Sequence, residues 1–217
     1  MMALSIPSWS LVGTRLLLIV VGLGLWFFSQ SLIGKKAACE DGIGDWLHQR
    51  TAGWHQWLLG HPPSADRLLI VSSLFIDLFG VSLLGMALFG PSVAPFVALV
   101  ILFAARQLCQ GLVTLPPPPG VIWRDPGFPS LLVTYGVSND LFFSGHTALA
   151  VLGAIEAFQL APPWLGWTAV VIAGLEASVV LVLRAHYTLD IIAGALAAWW
   201  ASSMAAWLAP FADRWLS

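Results

Sequence analysis

Long apolar segments, separated by short polar or proline-rich breaks, make up most of this chain. Six of them reach the roughly 20 apolar residues that a membrane-spanning helix needs. Glycine and proline pairs such as Gly90-Pro91 and Pro162-Pro163 mark breaks between them. The pattern predicts an all-α, polytopic membrane protein with a bundle of six transmembrane helices, near residues 11–33, 68–89, 92–115, 141–161, 164–184 and 187–208.

The first long loop contains a further stretch with helical spacing, from Asp45 to Leu59. Its tryptophans recur at near-helical intervals, and their amphipathic rings favour the membrane interface, so we predict one interfacial helix here. A direct role in admitting lipid is the alternative. The histidines in and after this stretch are expected to be surface or interfacial side chains rather than metal ligands, since no cysteine or acidic partner stands at zinc-like spacing; they are His48, His55 and His61.

Composition agrees with a membrane setting. Hydrophobic residues make up 59% of the 217 residues and charged residues 9%, with a mean hydropathy of +0.86, far from the roughly 25% charged residues of a soluble domain. We therefore expect one integral membrane domain over 1–217. A net charge of -2 without a Lys/Arg run excludes nucleic acid as a partner. The residue types predict neither a metal nor a cofactor, and they do not indicate an oligomeric state.

Two histidine clusters about 40 residues apart carry the candidate chemistry: Ser144-Gly145-His146-Thr147, and Arg184 to Asp190 with His186. In a six-helix bundle the loops after helices one, three and five lie on the same face. The first cluster leads out of the proline-rich loop into helix four, and the second lies between helices five and six. The clusters are therefore expected to meet in one active site.

Within the second cluster, His186 and Asp190 are four residues apart, which on a helix places their Cβ atoms about 5–6 Å from each other. The carboxylate could then accept the Nδ1 proton and leave Nε2 as a nucleophile or base; alternatively, Asp190 only caps the helix. The first cluster stands at a helix start, where free N–H groups favour an anion such as phosphate. Ser144 could also be no more than a helix cap.

The two clusters together resemble the histidine, histidine, aspartate triad of the membrane lipid phosphatase and phosphotransferase superfamily. Phosphatidic-acid phosphatases of type 2 also carry a Lys-x6-Arg-Pro motif and an arginine six residues before the second histidine. This chain has Val180 at that position and no Arg-Pro pair. The phosphatase branch is therefore the alternative rather than the first choice.

A closer resemblance is to sphingomyelin synthases and to the plant phosphatidylcholine:diacylglycerol cholinephosphotransferase, over residues 62 to about 200. Arg106-Gln107-Leu108 through Pro118 resembles their second motif, and Pro62-Pro63-x-x-Asp66 partly resembles their first. Asp140 lies six residues before His146, as in the sphingomyelin synthase motif, although the usual Cys-Gly is replaced here by Ser138-Asn139.

The resemblance implies a membrane phosphobase transferase that works by double displacement. His186, oriented by Asp190, would attack the head-group phosphorus of a phospholipid donor, and His146 would protonate the leaving diacylglycerol oxygen. The phosphobase would then pass to diacylglycerol, ceramide or water. The resemblance also adds Asp140 to the catalytic set. It implies phosphate or substrate contacts for Arg184, Arg106, Ser144, Gly145, Thr147 and Tyr187.

Three acidic residues inside apolar segments remain open to interpretation: Asp77, Glu156 and Glu176. Ionisable groups at such depth face the bundle interior. They could handle protons near the site, pair with Arg106, or be protonated and hydrogen-bonded. A transporter would bury such acids too, but it would not need the histidine clusters.

Most lysines and arginines fall on the active-site face, which favours a cytoplasmic site. Sphingomyelin synthases face the opposite way. The side of the membrane that carries the site therefore stays open.

Overall fold

The structure, a computed structural model of the chain, describes residues 8–35, 43–135 and 141–216. These residues form eight α-helices and no strand, which confirms the all-α prediction for the described part of the chain. In chain order the helices are α1 (Trp9–Ile33), α2 (Trp46–Arg50), α3 (Ala52–Gly60), α4 (Pro62–Phe89), α5 (Ala94–Leu112), α6 (Gly145–Leu160), α7 (Pro163–Val182) and α8 (Thr188–Leu216).

Five of these helices are long and apolar enough to cross a membrane, namely α1, α4, α5, α7 and α8. The protein is therefore a multi-pass integral membrane protein. The predicted count of six is not confirmed, because α6 has only 16 residues and begins at Gly145, four residues after the predicted start. Ser144 ends the preceding loop by capping α6 with its side-chain oxygen.

The predicted interfacial helix is divided into two short helices. α2 ends at Arg50 and α3 begins at Ala52, with Thr51 between them. The expectation of surface histidines was wrong for His48 and His55, which are both buried. Each ring bonds to a backbone carbonyl at the C-terminal end of α7 or in the turn after it, so burial leaves it with a partner. The interfacial location itself stays a prediction.

The short helix α6 packs against α4, α7 and α8. Its contact with α8 is close at Gly194, where a Cβ atom would lie 2.7 Å from the carbonyl oxygen of Ser144. Only glycine permits this approach, as in many helix pairs within membranes. The backbone N–H of Ser144 also donates to the Asp190 carbonyl at 3.0 Å. These contacts bring the start of α6 to the start of α8, where the two histidine clusters lie.

The long loop between α5 and α6 folds back along α4. The carboxylate of Asp77 accepts hydrogen bonds from the N–H groups of Leu131 and Leu132, at 2.8 and 2.9 Å, and from the hydroxyl of Ser130. Asp77, whose role the sequence left open, therefore anchors this loop beside the bundle. Of the two cysteines, Cys109 packs against the core, and Cys39 lies outside the described residues.

Candidate active site

A cavity of about 320 Å³ opens where α5, α6 and the turn between α7 and α8 converge. Both predicted histidines line it, His146 from α6 and His186 from that turn. Arg106 of α5 lines it as well. The structure therefore brings together in one cavity three polar residues that lie up to 80 residues apart in the sequence. Apolar and aromatic side chains form most of the remaining wall, among them Trp26, Phe103, Trp123, Leu141 and Leu149.

The ring of His186 is oriented by a backbone carbonyl. Its Nδ1 lies 2.8 Å from the carbonyl oxygen of Leu141. A carbonyl can only accept, so Nδ1 carries the proton, and Nε2 is left as the unprotonated nitrogen of the neutral ring. The residue is only 4% exposed. The tautomer is thus the one that the sequence analysis expected, with a different acceptor.

Asp190 does not accept the Nδ1 proton, which corrects the expected pairing. Its Oδ2 lies 3.7 Å from Nδ1 of His186, beyond hydrogen-bond distance. The same oxygen accepts the backbone N–H of Tyr187 at 2.8 Å. Asp190 therefore acts as a cap at the start of α8, the alternative that the sequence had left open. At this distance the carboxylate still stabilises a positive charge on the His186 ring.

His146 is the second residue of α6 and is 8% exposed. Its Nε2 has no hydrogen-bond partner within the described ranges. The ring packs edge-on against Trp123, with 5.1 Å between ring centroids. Ser144 and Thr147 do not line the cavity: the Ser144 oxygen accepts the N–H of Thr147 at 3.3 Å and its hydroxyl at 3.1 Å. They shape the start of α6, and the helix cap is the role that this geometry supports for Ser144.

Arg106 is held beside the start of α6 by its own contacts. Its Nε donates to the carbonyl of Phe143 at 2.9 Å. A Cβ atom on Gly145 would lie 3.1 Å from the guanidinium carbon, so Gly145 lets the guanidinium pack on the backbone. A buried cation here can neutralise an anion in the cavity.

The two buried glutamates bond to serines in the described structure. Glu156 accepts from Ser202 at 2.8 Å, and Glu176 accepts from Ser72 at 2.5 Å. Both are 2% exposed. These bonds join α6 to α8 and α4 to α7, so they support helix packing.

Arg184 and Tyr187 do not line the cavity, and their expected substrate contacts stay predictions. Arg184 has left-handed backbone with φ 54, and its guanidinium donates to the Pro119 carbonyl at 2.7 Å. The side chain is thereby held against the proline-rich loop. The hydroxyl of Tyr187 accepts the N–H of Ile43 at 2.9 Å. Asp140 lies outside the described residues.

A contact between the first loop and the turn that carries His186 was not predicted from the sequence. Residues 43–60, which we call the strap, cross the turn between α7 and α8. Asp45 accepts from Thr188, while His48 Nε2 and His55 Nδ1 lie 3.0 and 2.9 Å from the carbonyls of His186 and Val182. The sequence signal for this contact was Asp45, which stands directly before a helix, where an aspartate is typical of an N-cap.

The strap environment changes two pKa values. Burial, together with the positive charge of Arg184, lowers the pKa of His55. Burial alone would raise the pKa of Asp45, but hydrogen bonds from Thr188 and His48 outweigh it, and that pKa is lowered. His55 is therefore stabilised as a neutral ring and Asp45 as a carboxylate.

Apolar spanning helices around a cavity with two histidines and an arginine define a multi-pass membrane protein with a candidate active site. A family model described as AtPDCT1/2 matches residues 45–207, three quarters of the chain. The chain therefore belongs to the phosphatidylcholine:diacylglycerol cholinephosphotransferase family, and it is a lipid-modifying phosphotransferase of the membrane. No curated protein and no solved structure gives a significant match. Helix α1 lies outside the matched residues.

Proposed function

We propose that this protein transfers phosphocholine from phosphatidylcholine to diacylglycerol, with His186 as nucleophile and His146 as acid and base. The observation that carries the proposal is the single cavity that His146, His186 and Arg106 line, in a chain of this family. The sphingomyelin synthase resemblance stays a prediction, and ceramide is therefore tested as an acceptor below.

In the first step, Nε2 of His186 attacks the phosphorus of phosphatidylcholine. The new N–P bond forms as the bond between phosphorus and the glycerol oxygen breaks, and the ring of His146, protonated when the anionic phosphate binds beside it, gives its proton to that oxygen. Diacylglycerol leaves, and the phosphocholine remains on His186. The Leu141 carbonyl fixes the required tautomer, and the Asp190 carboxylate at 3.7 Å stabilises the charged ring.

In the second step, the hydroxyl of an incoming diacylglycerol attacks the same phosphorus. Its proton passes to the now neutral His146, the N–P bond breaks, and a new phosphatidylcholine leaves. His146 returns to its protonated form and His186 to its neutral form. The two steps therefore return both histidines to their starting states without any further reactant.

Two features of the cavity suit a phosphocholine group. The Arg106 guanidinium provides one positive charge for the single negative charge of a phosphate diester. Trp26 and Trp123 also line the cavity, and aromatic faces attract the quaternary ammonium of choline. We assign the phosphate to Arg106 and the choline to the tryptophans.

The test uses lipids whose halves can be told apart. Purified protein receives phosphatidylcholine with a deuterated choline and one pair of acyl chains, together with diacylglycerol carrying another pair. Mass spectrometry should find deuterated choline on the acceptor's chains. Parallel reactions replace diacylglycerol with ceramide or omit the acceptor, and His186→Ala serves as the inactive control.

Each outcome identifies the reaction that the protein catalyses. Label on diacylglycerol supports the proposal. Label only on ceramide, or release of free phosphocholine as the sole product, would overturn the proposed acceptor. Inorganic phosphate released from phosphatidic acid, with no turnover of phosphatidylcholine, would instead assign a lipid phosphate phosphatase.

A further inference from the structure

A second, largely apolar groove of about 410 Å³ runs between α1 and α5. Its walls include Leu23, Leu25 and Phe28 of α1 and Phe96, Val100 and Ala104 of α5. In a membrane such a groove is filled by an apolar chain, and the question is whose chain occupies it.

The groove adjoins the candidate active site and shares part of its wall. Trp26 and Phe103 line both the groove and the catalytic cavity, and their ring centroids are 4.9 Å apart. On α5 the two spaces meet at adjacent residues, because Arg106 lines the cavity and Gln107 lines the groove. One lipid molecule could therefore occupy both spaces.

The dimensions and polarity of the groove fit an acyl chain that starts at the active site. Along α5 it extends from Phe96 to Gln107, about 16 Å at 1.5 Å per residue, close to half of the roughly 30 Å hydrocarbon core. Its polar side chains lie at the cavity end, where Gln107 donates to Gln30 of α1 at 3.0 Å. At the far end the wall is apolar, with the ring of Phe96 against Gly22.

We propose that this groove binds one acyl chain of the glycerolipid whose phosphate occupies the catalytic cavity, with Trp26 and Phe103 as the shared wall. The proposal rests on the proposed function, since it takes the cavity as the head-group site. Helix α1 lies outside the residues that the family model matches. The groove therefore assigns to α1 a role in acyl-chain selection.

The test introduces bulk into the groove without touching the cavity. Ala104 is exposed and lines the groove but not the catalytic cavity, so Ala104→Trp fills the space that the chain would occupy. Ala206→Trp is the matched control, because Ala206 is an exposed residue of α8 that lines neither space. Leu25→Trp repeats the test from the opposite wall.

Head-group transfer is measured with dioleoyl and with dihexanoyl phosphatidylcholine. We expect Ala104→Trp to lower kcat/KM for the dioleoyl lipid by about tenfold or more, because the indole takes the place of the chain and the chain loses its packing contacts with the groove wall. Turnover of the dihexanoyl lipid and the control variant should stay near wild type. Equal rates for all variants, or an equal loss with both chain lengths in both groove variants, would overturn the proposal.

A photolabel separates this inference from the proposed function. Phosphatidylcholine with a diazirine near the end of one acyl chain is bound to His186→Ala, which cannot turn it over, and the labelled peptides are mapped. If the label falls on groove peptides and disappears when Ala104→Trp is introduced, the acyl-chain site is supported, even if no transfer to diacylglycerol is found. Label that is unchanged in Ala104→Trp would overturn it.

Discussion

Asp45 accepts two hydrogen bonds from Thr188, one from the backbone N–H at 2.5 Å and one from the hydroxyl at 2.7 Å. The two residues are 143 positions apart. Thr188 begins α8, only two residues after His186. A carboxylate from the first loop therefore fixes the helix start next to the proposed nucleophile, and this relationship motivates the first prediction.

Asp45→Ala should lower both stability and activity. Asp45 also caps α2 by accepting from the N–H groups of Leu47 and His48, so two helix starts lose an acceptor. We expect a cost of about 1–3 kcal/mol in the free energy of unfolding and a lower kcat. Chemical unfolding in detergent and the rate of head-group transfer measure both effects.

Asp66→Ala is the matched control for Asp45→Ala. Asp66 pairs with Arg124 at 2.6 Å, but both side chains are over a third exposed, and such pairs contribute about 0–1 kcal/mol. An Asp45 variant as stable and active as the Asp66 variant would contradict the assigned role of the strap.

The strap should also make stability depend on pH through His55. The pKa of His55 is lowered in the folded protein, which keeps the ring neutral, whereas a histidine in the unfolded chain has a pKa of about 6.5. Below that pH the unfolded state binds the additional proton, so stability falls as the pH drops from about 6.5 towards the folded pKa. His55→Gln should reduce the slope of unfolding free energy against pH in this window.

His61→Gln provides the comparison for the pH effect, since His61 is exposed and bonds only to the carbonyl of Trp57 in the described structure. The slope of unfolding free energy against pH in the His61→Gln variant should match that of the wild type. If the His55 and His61 variants have the same slope, the buried ring of His55 is not the source of the pH dependence.

Substitution of the two cavity histidines should impair the reaction in different ways. His186→Ala should abolish both turnover and covalent labelling, because the proposed N–P bond forms on Nε2. His146→Ala should slow turnover by about 10²–10⁴-fold, the usual contribution of a general acid, while a donor with a good leaving group still labels His186. Intact-mass spectrometry of the protein after mixing with phosphatidylcholine measures the label, and near wild-type turnover in His186→Ala would refute double displacement on this residue.

A phosphate diester should be turned over faster than phosphatidic acid. Within the described residues Arg106 is the one arginine or lysine that lines the cavity, and one guanidinium matches the single charge of a diester better than the two charges of an ionised monoester in a partly desolvated site. Initial rates for phosphatidylcholine, phosphatidylethanolamine and phosphatidic acid in one detergent make the comparison. Faster release of inorganic phosphate from phosphatidic acid would contradict this assignment.

The sequence predicted the helices and the meeting of the two histidine clusters because both depend on patterns within the chain. Apolar length identifies spans, and the alternation of spans puts the clusters at one end of the bundle. The sixth span stays unconfirmed, because the apolar residues 141–143 belong to the loop whose Ser144 caps α6 and the helix itself has only 16 residues.

What the sequence could not provide were partners supplied by the backbone or by distant loops. The Leu141 carbonyl that orients His186 has no signature, since every residue carries such a group. His48 and His55 looked like surface histidines because their partners are carbonyls more than 120 residues away. The resemblance implies a phosphate or substrate contact for Arg184, and nothing in the sequence indicates that its guanidinium donates to the Pro119 carbonyl from a left-handed backbone.

The shortness of α6 sets the depth of the site. α6 and α7 are joined through residues 161–162, so their ends there are nearly level. With 16 and 20 residues, they reach about 24 and 30 Å at 1.5 Å per residue. The start of α6, with His146, therefore lies about 6 Å below the far end of α7. His146 is therefore recessed from the end of α7, so that a diacylglycerol hydroxyl would reach it without being lifted as far towards water.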